Sequence, residues 1–244
     1  MTNKATLFIA DLHLGPEQPQ VNRLFETFLA GPARQAEALY ILGDLFEAWL
    51  GDDLLLPFCE PLLQGLRGLT RSGVPVYLMH GNRDFLLGEG FCELTGCTLL
   101  EEPANIELYG TPTLLMHGDM LCSDDHAYLA MRQQLRDPDW IKVFLAKPPA
   151  ERIAFARSLR ERSQQENTMK SEQIMDVNQE TVCATLRTHG LHQLIHGHTH
   201  RPAQHTFELD GQPARRHVLP DWQSAPGVLR CDAQGCQLLP LGEI

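Results

Sequence analysis

The chain has 244 residues, is 43% hydrophobic and carries a formal net charge of −11. That is enough apolar material for one substantial core, or a core with a smaller insertion, and it leaves no room for a mainly disordered chain. The acidic balance argues against a general basic surface for duplex nucleic acid, so an anionic substrate has to be met by local charge or by metal. No run approaches the ~18 apolar residues of a membrane span, and the start of the chain leads into a strand without a signal-peptide pattern. A cytoplasmic protein is expected. Seven cysteines are scattered without a Cys-x-x-Cys pair, which predicts buried, reduced thiols.

In chain order, the first apolar run is residues 6–10, a buried strand ending at Asp11-Leu12-His13. Apolar residues at Val21, Leu24, Phe25, Phe28 and Leu29 mark one face of a helix, stopped by Gly31-Pro32. Residues 38–42 form the next strand, ending at Gly43-Asp44, and a helical segment over 57–70 closes at Ser72-Gly73. Residues 74–79 form a third strand that runs into His80-Gly81-Asn82-Arg83-Asp84, and a helix follows over 85–94. Three β-α repeats, each delivering polar residues at the same strand end, predict a sheet flanked by helices with one shared site.

Shorter strands are expected over 97–100, 104–108 and 113–116, the last leading to His117-Gly118-Asp119. The block from 124 to about 188 is helical by composition, with helix starts at Pro138 and Pro149, and reads as an insertion over the site. A strand over 192–195 delivers His196-Gly197-His198-Thr199-His200. Two hairpins finish the chain, turning at Asp210-Gly211 and near 232–235.

The strand ends together offer Asp11, His13, Asp44, Asn82, His117, His196 and His198. Histidines two apart at a strand end project to the same side, which suits a pair of neighbouring metal ions. Two ions about 3.5 to 4 Å apart need a bridging carboxylate and separate sets of nitrogen and oxygen ligands. Asp44 is the expected bridge, with Asp11, His13 and His198 on one ion and Asn82, His117 and His196 on the other. A set of imidazole, carboxylate and amide with no thiolate suits Mn²⁺ better than structural zinc.

Asp-x-His, Gly-Asp, Gly-Asn-x-Asp, His-Gly-Asp and Gly-His-x-His, in that order, resemble the calcineurin-like metallophosphoesterase superfamily. Residues 9–14, 43–49, 80–85 and 196–202 are similar, more narrowly, to its UDP-2,3-diacylglucosamine hydrolase branch in Gram-negative lipid A biosynthesis. The resemblance runs over nearly the whole chain. It implies an α/β fold, a four-layer αββα sandwich with an inserted helical cap, the core being 1–122 with 178–244 and the lid 123–177. It also implies a pair of Mn²⁺ ions on the seven residues above and cleavage of a pyrophosphate to UMP and 2,3-diacylglucosamine 1-phosphate. The workplace it implies is the cytoplasmic face of the inner membrane, by peripheral attachment, with no obligatory protein partner. The expected catalytic group is Asp44, Asn82, Arg83 and His117. The substrate contacts implied are Asn82, Arg83, Asp125, Ser163, Asn167, Lys170 and His196, with Arg160 and Tyr128 as further additions.

One position departs from the superfamily pattern. Where most relatives have histidine after Gly-Asn, this chain has Arg83, which cannot release a proton. An alkoxide leaving group calls for a general acid there. A phosphate monoester, with a second pKa of about 6, leaves unprotonated at neutral pH, so an arginine suits a pyrophosphate. On the lid, Arg160, Ser163, Asn167 and Lys170 share one helix face at spacings of three, four and three. Trp140, Ile141, Val143, Phe144, Leu145, Ile153 and Phe155 make the lid apolar enough to meet acyl chains. Asp119 is expected to orient His117, and Asp84 to support Asp44 or Arg83. A phosphodiesterase on the same metals and a catalytically silent binding scaffold are the competing readings.

Overall fold

The computed structural model describes residues 4–169 and 176–244, with side chains for 4–162 and 176–244. The first half alternates strand and helix: β1 (Thr6–Ile9), α1 (Pro19–Ala30), β2 (Ala38–Leu42), α2 (Cys59–Arg71), β3 (Val76–Met79), α3 (Glu89–Thr95) and β4 (Thr98–Leu100). Strands β5 (Ala104–Leu108) and β6 (Thr111–Leu115) follow, then helices α4 (His126–Leu135), α5 (Pro138–Leu145), α6 (Pro149–Met169) and α7 (Gln179–His189). The chain closes with β7 (Gln193–His196), β8 (Ala203–Leu209), β9 (Gln212–Val218), β10 (Gly227–Asp232) and β11 (Gly235–Pro240).

These strands form two sheets, ordered β11-β10-β1-β2-β3-β4 and β5-β6-β7-β9-β8. Strands β1 to β4 run parallel, and β6, β7 and β9 are parallel in the second sheet. The period-2 alternation of each strand sends residues to two different cores. Leu7 and Ile9 face the helices of the first sheet, where α1 and α2 contribute Phe25, Phe28, Leu62 and Leu66. Phe8, Leu42, Met79, Leu115, Ile195 and Leu229 fill the layer between the sheets. Leu114, Leu194 and Ala214 meet Val182 and Leu186 of α7 on the outer side of the second sheet. The result is helix, sheet, sheet, helix, as expected of an αββα sandwich.

Local signals set the ends of the elements. Pro19 opens α1, Asp137 caps α5 by accepting from Asp139 N and Trp140 N, and Gly190 closes α7 in the left-handed conformation. The helix expected from Phe85 starts only at Glu89, because Asp84 to Leu87 is tied into a turn, with Leu87 N donating to Asp84 O, and Gly88 is extended. Two cysteines also depart from expectation. Cys231 and Cys236 face each other across β10–β11, Cα atoms 4.1 Å apart, and form a disulfide. The hairpin register brings together two thiols that no sequence motif pairs; the other five cysteines form no disulfide.

His217 lies on the inner face of β9. Its neighbours in register are Ile195 of the inter-sheet core and Gln204, whose amide donates to Cys236 O of the other sheet. Neither ring nitrogen has a hydrogen-bond partner. Burial, and then the charge of Arg215, push its pKa down to about 4. The unfolded chain takes up a proton there near pH 6.5, so the stability His217 lends is whole above that pH and is lost as pH falls toward 4. Between pH 7 and 4.5, His217→Leu is therefore expected to lose less stability than wild type, by on the order of 3 kcal/mol, in urea unfolding at the two pH values.

Candidate active site

Five strands end at one place. Asp11 and His13 follow β1, Asp44 follows β2, Asn82 and Arg83 follow β3, His117 follows β6, and His198 and His200 follow β7. The backbone at Asp11, His13, Asp44, His198 and His200 has φ of 57°, 51°, 53°, 70° and 55°. Left-handed conformations cost energy in non-glycine residues and concentrate where surrounding structure forces side chains together. Here the carboxyl of Asp84 forces one of them. Buried, it accepts from the backbone of Leu45 and Gly81 at 2.8 Å each and of Asp44 and Phe46 at 3.3 Å, shaping the turn that carries Asp44. Close approach does the rest: a Cβ on Gly81 would lie 2.0 Å from Asp44 Oδ1, and one on Gly197 would lie 2.4 Å from Asp11 Oδ2.

Within this frame Asp44 Oδ2 stands 3.9 Å from His13 Nδ1 and 3.8 Å from His117 Nε2, between the two imidazoles. His117 Nδ1 donates to Leu42 O at 2.9 Å, which turns Nε2 toward Asn82 Oδ1 at 3.1 Å. Nε2 of His117 thus faces two oxygen acceptors, an arrangement that either a proton or a cation satisfies. His198 donates its backbone N–H to Asp11 Oδ2 at 2.8 Å and places Nδ1 3.0 Å from Asn82 Oδ1. Asp11 Oδ1 and His13 Nδ1 are buried without a hydrogen-bond partner. Ligand atoms of Asp11, His13 and His200 lie within 4.8 Å of one another, as do those of Asp11, Asp44 and His117.

The electrostatics match a cation site. Burial pushes Asp44 up to about 7, with Asp84 and Asp11 adding to it against the pull of His117. Burial also opposes ionisation of Asp11, but the His200 imidazole, 3.5 Å from Oδ1, and the charges of His117 and His13 hold it at about 2. His13 and His198 are pushed down to about 3 and about 4, burial being the largest cause in both. His13 and His198 thus offer neutral imidazoles; burial opposes a charge on His117, but Asp44, Asp119, Asp11 and Glu102 raise its pKa to about 9, so it holds a proton that a divalent first-row metal would displace.

Two expectations are corrected here. His196 is fully buried but outside the cluster: Nδ1 meets Gly197 O at 2.8 Å and Nε2 meets Arg216 NH1 at 3.1 Å, so both ring nitrogens are used elsewhere. It is still part of β7, where the alternation turns it to the helix side with Leu194; His200, beyond the strand, takes its place among the candidate ligands. The reading frame Gly-His-x-His, started at Gly197, is the signal that picks out His198 and His200. Asp119 does not orient His117 through a ring nitrogen, since Nδ1 and Nε2 face Leu42 O and Asn82 Oδ1. It accepts from Tyr128 OH at 2.5 Å and Arg132 Nε at 2.6 Å. Burial opposes its ionisation, yet the charges of His117, His198 and Arg132 and the Tyr128 hydroxyl hold its pKa well below the usual carboxylate range.

The site opens into a cavity of about 720 Å³ between the strand ends and helices α4 to α6. His13, Asp44, Asn82, Arg83, His198 and His200 line one end; Met131, Leu135, Trp140, Phe155 and Leu159 give the other an apolar wall. Asp125 also lines it and caps α4, accepting from Tyr128 N at 3.1 Å. Glu47, assigned no role from sequence, gathers two guanidinium groups, Arg160 Nε at 3.2 Å and Arg83 NH1 at 3.5 Å, and stands 3.6 Å from His13 Nδ1. The side chains of Ser163 and Asn167, and all of Lys170, lie outside the described residues.

The model of calcineurin-like phosphoesterases matches residues 5–202, which hold every ligand candidate in the cluster. The chain belongs to the calcineurin-like phosphoesterase family. Among curated members, it is 51% identical to the UDP-2,3-diacylglucosamine hydrolase of Pseudomonas aeruginosa PAO1, over 97% of this chain and 98% of that one. It is 52% identical to the enzyme of that name from Pseudomonas putida W619, over 96% and 98%. The one from Stutzerimonas stutzeri A1501 is 49% identical over the same shares. In this member of the calcineurin-like phosphoesterases, the helices over the site are bound to the ligand turns by buried charge. Glu102 accepts from His117 N at 2.7 Å through one oxygen and from Arg132 NH2 at 3.1 Å through the other, while Arg132 Nε holds Asp119. Arg132→Met leaves two buried carboxylates without their cation, and a loss of about 3 to 5 kcal/mol in urea-unfolding stability is expected, against little change for Arg187→Met at the surface.

Proposed function

We propose that this chain hydrolyses the phosphoric anhydride of UDP-2,3-diacylglucosamine to UMP and 2,3-diacylglucosamine 1-phosphate. The observation that carries the reading is the cavity itself. One continuous space joins a carboxylate–imidazole cluster to an apolar wall, and a substrate with a charged diphosphate beside acyl chains asks for both. Identity near 51% along almost the full length of proteins bearing that substrate in their name supports the same reading.

Asp11, His13 and His200 would hold one metal ion, Asn82, His117 and His198 a second, and Asp44 both; Mn²⁺ is the ion proposed. When bound, the ions lower the pKa of a water molecule and offset negative charge on the phosphoryl oxygens. The orphaned Asp11 Oδ1 and His13 Nδ1 fit that role. Arg83 presents planar donors to the diphosphate and, lacking a releasable proton, leaves the sugar phosphate to depart as an anion. Before substrate arrives, Glu47 keeps the guanidinium groups of Arg83 and Arg160 beside the cluster. Asn82, Arg83 and Asp125 are proposed substrate contacts, with Ser163, Asn167 and Lys170 on the lid, taken as residues 123–177. His196, with both ring nitrogens engaged by Gly197 O and Arg216, takes neither role.

No described helix is long and apolar enough to cross a membrane. Val143, Leu145 and Phe155 of the lid expose apolar surface, which supports peripheral contact with the lipid face where the substrate resides, proposed to be the cytoplasmic face of the inner membrane.

The test is phosphorus NMR of UDP-2,3-diacylglucosamine in mixed micelles with the protein and Mn²⁺. Two monoester signals should replace the diphosphate pair. Chelation should abolish the change, and Asp44→Ala should slow it by roughly 10³-fold or more. An intact diphosphate together with cleavage of a simple phosphodiester would replace this reading with a phosphodiesterase.

A further inference from the structure

The histidine run offers three imidazoles, and the cluster uses only the last two. His196 is nonetheless fully buried, and its surroundings are specific. On β7 it shares a face with Leu194, and Leu194 is the register partner of Arg216 on β9. Strand pairing therefore delivers a guanidinium to the same side, NH1 3.1 Å from His196 Nε2. A guanidinium can only donate, so Nε2 accepts and the ring hydrogen sits on Nδ1. Nδ1 in turn is 2.8 Å from Gly197 O, which can only accept. Both contacts demand the same tautomer.

The peptide unit that results is held at both ends. Gly197 O takes the Nδ1–H of His196 and also the N–H of Thr199 at 2.9 Å. Across the same peptide plane, His198 N donates to Asp11 Oδ2 at 2.8 Å. Next to it, Gly197 N donates to His117 O at 2.8 Å. His198 and His200 leave this clamped unit in the left-handed conformation. Gly118, with φ of 120°, leaves the room: a Cβ there would come within 2.8 Å of His196 Nδ1 and 3.0 Å of Gly197 O. Arg216 is buried on the helix side among Leu194 and Ala214, and its Nε has no hydrogen-bond partner. An apolar side chain would fill this strand position at lower desolvation cost, so packing alone does not account for a guanidinium.

We propose that Arg216 and His196 are a positioning pair: Arg216 fixes the Nδ1–H tautomer of His196, and His196 fixes the Gly197–His198 peptide from which two metal ligands project. This rests on the metal-binding role proposed above. It adds a layer behind the ligands, reached through the backbone rather than through a ligand's own ring nitrogen.

The experiment uses the full-length protein with Arg216→Met, Arg216→Lys, His196→Leu and His196→Asn. Two readouts are taken: long-range proton–nitrogen-15 NMR of the histidines without metal, and Mn²⁺ titration calorimetry. In the wild type, His196 should appear as the Nδ1–H tautomer. Arg216→Met and His196→Leu should each weaken Mn²⁺ binding by about tenfold or more. His196→Asn keeps an amide donor where Nδ1–H stood and should restore most of that loss. Arg216→Lys, which retains a buried donor should the methionine variant fail to fold, should keep the Nδ1–H tautomer and weaken binding less.

Tighter Mn²⁺ binding in Arg216→Met would make His196 a ligand in competition with Arg216 and overturn the proposal. Unchanged binding in both Arg216→Met and His196→Leu would reduce the pair to packing and overturn it too. An Nε2–H tautomer in the metal-free wild type would overturn it independently. Absence of Mn²⁺ binding by the wild type would instead count against the metal reading, with the tautomer still deciding the pair.

Discussion

Carboxylates and imidazoles packed at low solvent exposure are the constraint on which the rest of the architecture turns. Asp11, Asp44 and His117 are each essentially buried, where isolated ionised groups are costly. They are tolerable together because opposite charges and backbone donors surround them and because a cation is the natural complement of what remains. The price appears in the backbone, which is left-handed at Asp11, His13, Asp44, His198 and His200. Asp84, Gly81 and Gly197 are the parts of the chain that hold those conformations in place.

The same constraint explains how the inserted helices are attached. Helix α4 does not rest on an apolar stripe alone; it reaches the ligand turn through Arg132, with Asp119 and Glu102 on either side. Helix α6 is anchored near its start by Arg152, which is buried and bonded to Leu50 O and both oxygens of Asp53. Farther along, Arg160 reaches Glu47. Apolar contact supplements these ties, with Trp140 and Phe144 stacked at 4.9 Å and Phe155 beside them. Charge thus ties these helices to the strand ends, while Trp140 and Phe155 form part of the cavity wall.

That division also gives the cavity its two characters. The sheet supplies rigid strand ends, whose positions are fixed by ladders on both sides, and so a reacting group can be held in constant geometry. Helices α4 to α6 supply an apolar wall with Met131, Leu135 and Leu159 at its surface. Glu47 stands where the two meet and pairs with one arginine from each.

Much of this was legible in the chain itself. Continuous apolar runs at 6–10, 38–42 and 74–79 are the parallel strands, because a strand covered on both faces needs no polar alternation. Acids, amides and histidines after five strand ends marked a single site, since parallel strands bring their carboxyl ends to one edge. What periodicity could not decide was which side of that edge each residue takes. His196 and His198 look alike in sequence, yet one still belongs to the strand and turns to the helix side, while the other follows Gly197 into the site. Arg216, Arg132, Glu102 and the Cys231–Cys236 pair carry no local pattern, for their partners lie 13 or more residues away or are set by hairpin register. The sequence by itself determined the strands, their order of polar endings and the chemistry on offer, because these follow from local composition. Only the tertiary structure decided which imidazoles point inward and which charges hold helices α4 and α6, because those depend on sheet register and on burial shared between distant segments.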